Sequence, residues 1–253
     1  MKKQLQAFLT ALQFLTRLRI SILGDSADTF QQSITYFPLV GLILGIILAI
    51  VWYFLSFIDT EFLRAALLLA LSVFLSGGLH MDGFMDSMDG LFSGRERERI
   101  LEIMKDSNVG AHGVSAAIIL MLLKFTLLLS LPNNYLEFFG LSLSPFILLM
   151  PVLGRWAMVP AVTCFPYARK KGIGGLFRTS QGIPIFIIAT LVTFLICWFV
   201  MGTSGLILLF GVSLLVLVWC NWIKKILGGL TGDTYGALSE ITEVFILLLG
   251  LMV

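Results

Sequence analysis

Three aspartates lie close together in the sequence, at a spacing that places their side chains on one face of a helix. Asp82, Asp86 and Asp89 follow a long apolar run and fall within an arc of about 60° on a helix that turns about 100° per residue. Carboxylates this close repel one another, and each resists ionisation unless a cation neutralises the group. Oxygen ligands of this kind hold hard divalent cations such as Mg²⁺. The pattern therefore predicts a metal site rather than a solvated helix end, and a metal facing the cytoplasm indicates phosphate chemistry.

Polar residues on both sides of this acidic face are further candidates for a site. His80 precedes the aspartates, and a turn at 104–113 contains Lys105 and Asp106 among glycines. Such a turn can bind a phosphate through the backbone N–H groups at the start of the next helix. The second acidic row of this segment, Glu98 and Glu102, is typical of an ordinary surface helix with internal ion pairs.

Two other segments contain charges that could reach a phosphate. Arg155 lies inside an apolar segment, where a charge is costly and faces the protein interior, so it is a candidate partner for a phosphate or a carboxylate. The polar segment 221–243 contains Lys224 and Asp233. Lys224 fits a phosphate contact as well as simple anchoring at the membrane boundary.

The elements that must position these residues are membrane-spanning helices. The 253 residues are 58% hydrophobic and 13% charged, whereas soluble domains carry about a quarter charged residues. The three cysteines lie in or beside apolar segments without a CxxC pair and are interpreted as small apolar residues. With about 20 apolar residues for each span, the sequence predicts seven spans, at 35–57, 62–80, 111–131, 143–164, 184–202, 205–222 and 237–253.

The basic residues predict how the spans are oriented. Most of the 17 Lys and Arg residues fall on one side of the seven-span arrangement, and the opposite side has Arg64 alone. Because positive loops stay in the cytoplasm, the N-terminus and the acidic face are predicted to be cytoplasmic, at the inner membrane of a bacterium. Residues 1–20 are predicted to form an amphipathic helix on that membrane surface, from the apolar positions Leu5, Phe8, Leu9, Leu12 and Leu15.

The sequence as a whole therefore predicts an all-α fold, a polytopic helical membrane protein that forms a single domain over 1–253. The acidic segment is predicted to be a helix, followed by a short break at Ser93-Gly94 and a second helix.

Three segments resemble the signatures of a known family, the cobalamin-5'-phosphate synthases (adenosylcobinamide-GDP ribazoletransferases). They are HMDGFMDSMDGLFSGRERERILEIMKDSNVGAHG at 80–113, GGLTGDTYGALSE at 228–240, and the N-terminal FLTALQFLTRL with the YFPLVGLILG of the first span. The similarity covers essentially the whole chain. One departure is Asn108, where the family often has Arg.

The resemblance implies a metal-dependent transferase of cobalamin biosynthesis. A hydroxyl of α-ribazole, or of its 5'-phosphate, attacks the corrinoid-linked phosphorus of adenosylcobinamide-GDP, and GMP leaves. The implied cofactor is Mg²⁺. We expect the metal ligands to be Asp82, Asp86 and Asp89, with one of them or Asp106 accepting the hydroxyl proton. The expected phosphate and substrate contacts are Lys105, Arg155, Lys224, His80 and Asp233.

Two other functions fit parts of the pattern. Asp86-Ser-Met-Asp89-Gly90 matches the opening DxxDG of CDP-alcohol phosphotransferases, but Ser93-Gly94 stands where that motif has Ala-Arg. An ion-coupled transporter would have acidic residues near the bilayer midplane, whereas here they cluster at the boundary. The expected partners are the two substrates and the lipid bilayer, without nucleic acid, and the oligomeric state is open, a homo-oligomer included.

Overall fold

The chain folds almost entirely into helices, and the all-α membrane class is confirmed. The computed structural model describes residues 2–18, 27–132, 136–138, 141–169 and 182–252. The helices in these ranges are α1 (Lys2–Leu15), α2 (Ala27–Ser33), α3 (Phe37–Leu55), α4 (Glu61–Ser76), α5 (Leu79–Leu91), α6 (Arg97–Ile103), α7 (Ala111–Ser130), α8 (Pro145–Cys164), α9 (Gly182–Leu227) and α10 (Gly232–Leu249). A short antiparallel pair that the sequence did not predict, β1 (Leu136–Phe138) and β2 (Leu141–Leu143), precedes α8.

The helices long and apolar enough to span a membrane number four among the described residues, or five if α4 and α5 together form one span. The four are Asp28–Leu55, Ala111–Ser130, Pro145–Cys164 and Gly182–Leu227. Each of the seven predicted segments nevertheless corresponds to a helix or to part of one. The predicted number of spans therefore stays a prediction, while the helical character of every segment is confirmed.

The long helix α9 accounts for two of the predicted segments. A straight helix of 46 residues would be about 69 Å long, more than twice the hydrocarbon thickness of a bilayer. The helix is broken at Gly202, which has φ 56° and ψ −131°. A Cβ placed on Gly205 would lie 2.2 Å from the carbonyl oxygen of Cys197, and residues eight apart can approach so closely only where the chain reverses. The segment is therefore two helical arms folded back on each other.

The two most enclosed helices are α8 and α10. The apolar window of α8 is 94% buried, and α10 packs against α5, α7, α8 and α9. The last predicted span, 237–253, begins later than the observed helix, whose first turn contains Asp233. Thr231 caps that helix, since its side chain accepts a hydrogen bond from the backbone N–H of Thr234. Besides Asp233, α10 contains Glu240 and Glu243, which are buried and therefore require cations within the protein.

The N-terminal helix and the charged loops differ partly from expectation. Helix α1 forms as predicted, but Leu5 is 59% exposed, and Ala7, Thr10, Ala11 and Leu15 are buried. Its position on the membrane surface stays a prediction. The basic residues Arg19, Lys170, Lys171 and Arg178, which contributed to the predicted orientation, lie outside the described residues.

Candidate active site

The acidic helix α5 is set apart from the preceding span by two glycines. Gly77 and Gly78 have φ of 65° and 74°, a left-handed conformation that glycine adopts without steric cost. The axis turns by 91° between α4 and α5. The predicted span 62–80 therefore ends at Ser76, and α5 runs across the end of the helix bundle instead of continuing along α4.

Small residues allow α5 to pack directly on α10. A Cβ on Gly83 would lie 2.9 Å from the carbonyl oxygen of Asp233, and one on Gly236 would lie 3.2 Å from the backbone of His80. Larger residues at these positions would push the two helices apart. The close packing places Asp233 beside the acidic face of α5, although 147 to 151 residues of chain separate it from Asp86 and Asp82.

The carboxylates of α5 and α10 influence one another electrostatically. The pKa of Asp86 is raised to about 7, chiefly because the carboxyl is partly buried and also because Asp82 and Asp233 are nearby anions. The guanidinium of Arg169 opposes this shift. Asp82 is exposed, whereas Asp86 and Asp233 are half-buried. Asp82 and Asp86 therefore lie near each other as predicted, and Asp233 lies near them as well.

Asp89 has a different environment from the one predicted. Its two carboxylate oxygens accept hydrogen bonds from the backbone N–H groups of Gly110, at 2.7 Å, and Gly113, at 2.8 Å. These N–H groups belong to the first turn of α7, where no intrahelical acceptor exists and the helix dipole favours an anion. A Cβ on either glycine would lie within 2.5 Å of the carboxylate. The structure thus makes Asp89 an anchor between α5 and α7, and its expected role as a direct metal ligand stays a prediction.

The same contact occupies part of the expected phosphate cradle in the turn 104–113, and phosphate binding there stays a prediction. Two N–H groups at the start of α7, those of Gly110 and Gly113, are already bound to Asp89. Asp106 is fully exposed, and its carboxylate accepts hydrogen bonds from the backbone and side chain of Asn108, which lower its pKa. Lys105 and Lys224 are exposed. Neither lysine contacts Asp82, Asp86 or Asp233 in the described structure. Asp106 is bound to Asn108 in its own turn.

Arg169 is a cation of the site that sequence reasoning did not single out. Its Nη2 atom lies 2.7 Å from Oδ2 of Asp233 and also donates to the carbonyl of Met104. The backbone beside it pairs with the loop before α10, since the N–H of Ala168 donates to the carbonyl of Leu230 at 2.7 Å. The only signal in the sequence was its place in a basic run after α8, which is equally typical of membrane anchoring.

Arg155 does not reach this surface. It forms an ion pair with Glu243 in the protein interior, where Lys124 lies 2.6 Å from both Glu240 and Glu243. All four side chains are at most 8% exposed. The two cations balance Glu240 and Glu243, which explains how this part of α10 is buried. In this structure Arg155 contacts Glu243 instead of the acidic face, and its expected phosphate contact stays a prediction. Lys124, for which the sequence indicated no role, pairs with Glu240 and Glu243.

A cavity of about 160 Å³ opens beside the acidic face, between α1, α3, α5, α8 and α10. Apolar side chains form most of its wall, among them Phe37, Met158 and Val162. His80, which is 2% exposed, also lines it, together with the exposed Asp82 and the half-buried Asp233. We refer to this space as the α5–α10 cavity.

The carboxylates of α5 and α10 are oxygen donors, the kind of ligand that Mg²⁺ prefers. Among the described residues, no group of three or more His, Cys, Asp or Glu side chains has the arrangement of a preformed metal site. Mg²⁺ is, however, commonly held by one or two carboxylates together with substrate phosphates and water. Asp82, Asp86 and Asp233 offer oxygen donors only, and their mutual repulsion is the kind that a cation relieves. The donor chemistry of these residues fits the ion.

Comparison with known proteins gives consistent matches over nearly the whole chain. Residues 7–251 match the sequence profile described as cobalamin-5-phosphate synthase. An adenosylcobinamide-GDP ribazoletransferase of Desulfitobacterium hafniense is 43% identical over 94% of this chain and 93% of its own length. Proteins of the same description from Desulforamulus reducens, 42% identical over 96% and 94%, and Caldanaerobacter subterraneus, 37% identical over 96% of each chain, are also similar. No solved structure matches the chain.

Proposed function

The chain belongs to the cobalamin-5-phosphate synthase family, and on this premise we propose that Asp82, Asp86 and Asp233 form its catalytic carboxylate set. The protein is an enzyme of cobalamin synthesis that joins α-ribazole, or its 5'-phosphate, to adenosylcobinamide-GDP with release of GMP. The observation that carries the residue assignment is the convergence of α5 and α10 at Gly83, which brings the Asp233 carboxylate beside Asp82 and Asp86.

The reaction replaces one bond to phosphorus by another. A hydroxyl oxygen of ribazole bonds to the corrinoid-linked phosphorus, the bond from that phosphorus to the bridging oxygen breaks, and the bridging oxygen leaves with GMP. Asp82, the most exposed of the three carboxylates, accepts the proton of the attacking hydroxyl. Positioning of the two substrates and electrostatic stabilisation supply most of the rate, as is general for phosphoryl transfer.

The negative charge of the diphosphate must be balanced before it can approach the acidic face. When Mg²⁺ is bound, it supplies positive charge to the diphosphate and the leaving oxygen. Asp86 and Asp233 would hold the ion. Arg169, half-buried beside Asp233, opposes the rise that burial causes in the pKa of that carboxyl, orients it and offers its guanidinium to the substrate phosphates. We place this site on the cytoplasmic side of the membrane, because the basic residues near it match the positive-inside pattern.

The two alternative functions have less support than this one. The relatives are named for ribazole transfer to adenosylcobinamide-GDP, not for transfer from a CDP-alcohol or for transport. The acidic residues deep in the bundle, which a transporter would use, are neutralised by Lys124 and Arg155.

The residue assignment is tested by GMP release from adenosylcobinamide-GDP in the presence of α-ribazole and Mg²⁺. Asp82→Asn is expected to lower kcat by about 10²–10⁴-fold, because it removes a general base without changing the shape of the side chain. Asp106→Asn is the matched control, an equally exposed aspartate in the adjacent turn, and should keep near-parental activity. Full activity of Asp82→Asn, or full turnover after chelation of divalent cations, would contradict the assignment.

A further inference from the structure

We propose that the α5–α10 cavity binds the benzimidazole base of ribazole, with His80 donating a hydrogen bond to the free ring nitrogen. The proposal rests on the proposed function and extends it, since it assigns one part of one substrate to a defined place. It also fixes where the ribose must lie. Three features of the cavity support it: its size, its buried histidine and the position of Asp82.

The size and lining of the cavity suit a small apolar aromatic group. A volume of about 160 Å³ is close to the roughly 150 Å³ of an engineered apolar cavity that binds benzene. A fused bicyclic base can enter with its ring edge at the more open side, whereas a corrin ring cannot enter. Phe37, Met158 and Val162 are each at most 7% exposed and present apolar surface to the space. Guanine would bring several polar ring atoms against these walls, at a cost in desolvation.

The imidazole of His80 provides the polar contact expected for such a base. Its side chain is 2% exposed, and neither ring nitrogen has a hydrogen-bond partner in the described structure. Buried polar groups normally have a partner, so an unsatisfied one in a cavity wall indicates a ligand. The glycosidic bond of ribazole uses one nitrogen of the benzimidazole and leaves the other with a free lone pair. A ring N–H of His80 can donate to that nitrogen.

The placement of the base also accounts for the position of the attacking hydroxyl. The cavity is lined both by the buried His80 and by the exposed Asp82, two residues further along α5. A base held at the His80 end places its ribose at the other end, beside Asp82 and Asp233. The hydroxyl that loses its proton is thus delivered to the carboxylate that accepts it. The corrinoid substrate would approach from the open side, outside the cavity.

The first test narrows the cavity with Val162→Phe and compares it with Val218→Phe. Val162 is 7% exposed in the cavity wall, while Val218 is 69% exposed on α9 and serves as the matched control. Val162→Phe is expected to raise KM for α-ribazole at least tenfold and to change KM for adenosylcobinamide-GDP less than twofold. It should also favour imidazole riboside, which is one ring smaller, relative to the parental enzyme. An equal rise in both KM values, or no change in either, would overturn the proposal.

The second test uses His80→Phe and two nucleosides that differ at a single ring atom. Indole riboside has a C–H where benzimidazole riboside has the free nitrogen. The parental enzyme should prefer benzimidazole riboside by about tenfold in KM, as one hydrogen bond predicts, and His80→Phe should lose this preference. A preference unchanged in His80→Phe would exclude the hydrogen bond.

The same experiments separate this proposal from the proposed function. Lack of GMP release by the parental enzyme with both substrates would mean that the function is wrong. Normal release by the parental enzyme, with unaltered nucleoside selectivity in Val162→Phe and His80→Phe, would mean that only the base site is wrong. Equilibrium dialysis with α-ribazole provides a readout without turnover, and binding by Val162→Phe as tight as by the parental chain would also overturn the base site.

Discussion

The buried carboxylates of α10 and the cations that pair with them predict that the free energy of unfolding depends strongly on keeping their charges balanced. Lys124 contacts Glu240 and Glu243, and Arg155 contacts Glu243, so two cations face two carboxylates. Replacing Lys124 by Met leaves two acidic side chains with one cation. Replacing Lys124 by Met and Glu240 by Gln together restores the balance and leaves the pair of Arg155 and Glu243 in place.

The magnitude of the effect follows from the distances and the burial. At an effective dielectric constant of about 20, charges separated by the 2.6 Å seen here attract by about 6 kcal/mol. Removal of each ion from water costs several kcal/mol, so the net contribution of the intact pair is small. When Lys124 alone is replaced, the remaining carboxylates still carry the cost of being removed from water, but they lose the attraction that offset it. Lys124→Met should therefore lower the free energy of unfolding by about 3–5 kcal/mol, and the double variant should recover most of the loss.

Unfolding of the purified protein in mixed detergent micelles, with SDS as denaturant, measures these free energies. Arg99→Met is the control, because Arg99 forms an ion pair of 2.8 Å with Glu102 but both side chains are over 60% exposed. Its cost should stay below about 1 kcal/mol. The reasoning is refuted if Lys124→Met is as mild as Arg99→Met, or if the double variant is less stable than the single one.

Three further outcomes are expected. Asp89→Asn should lower the melting temperature and reduce hydrogen-exchange protection at the Gly110 amide, because the start of α7 loses a charged acceptor for two N–H groups. Unchanged protection at Gly110 would contradict this role of Asp89. Arg169→Gln should raise KM for adenosylcobinamide-GDP more than it lowers kcat, since it removes a cation next to Asp233, and a kcat effect alone would be inconsistent with a phosphate contact. In EDTA, thermal stability should rise as the pH falls from 8 to 5. The pKa of Asp86 is raised to about 7 in the folded state, so the folded state binds a proton in this range that the unfolded state does not. Asp86→Asn should flatten that rise.

The agreement between sequence and structure is best where a property is local. The apolar segments predicted helices, and the i, i+4 spacing of Asp82 and Asp86 predicted their common face, since both follow from the geometry of one helix. The break after α5 was visible at Ser93-Gly94 for the same reason. The sequence misplaced the end of α4, because Gly77-Gly78 reads as part of an apolar run although its conformation is left-handed.

The sequence by itself determined the helical membrane class, the acidic face and the family, because hydropathy, helical periodicity and sequence motifs are properties of short stretches of the chain. Only the tertiary structure decided which charged side chains form ion pairs. Arg155 and Glu243 are 88 residues apart, and Lys124 and Glu243 are 119 apart, so their pairing depends on how α7, α8 and α10 pack. The same packing assigned Asp89 to a helix N-terminus and brought Arg169 and Asp233 to the acidic face. Electrostatic interactions decay with distance in space, not with separation along the chain, and that distance is set by the fold.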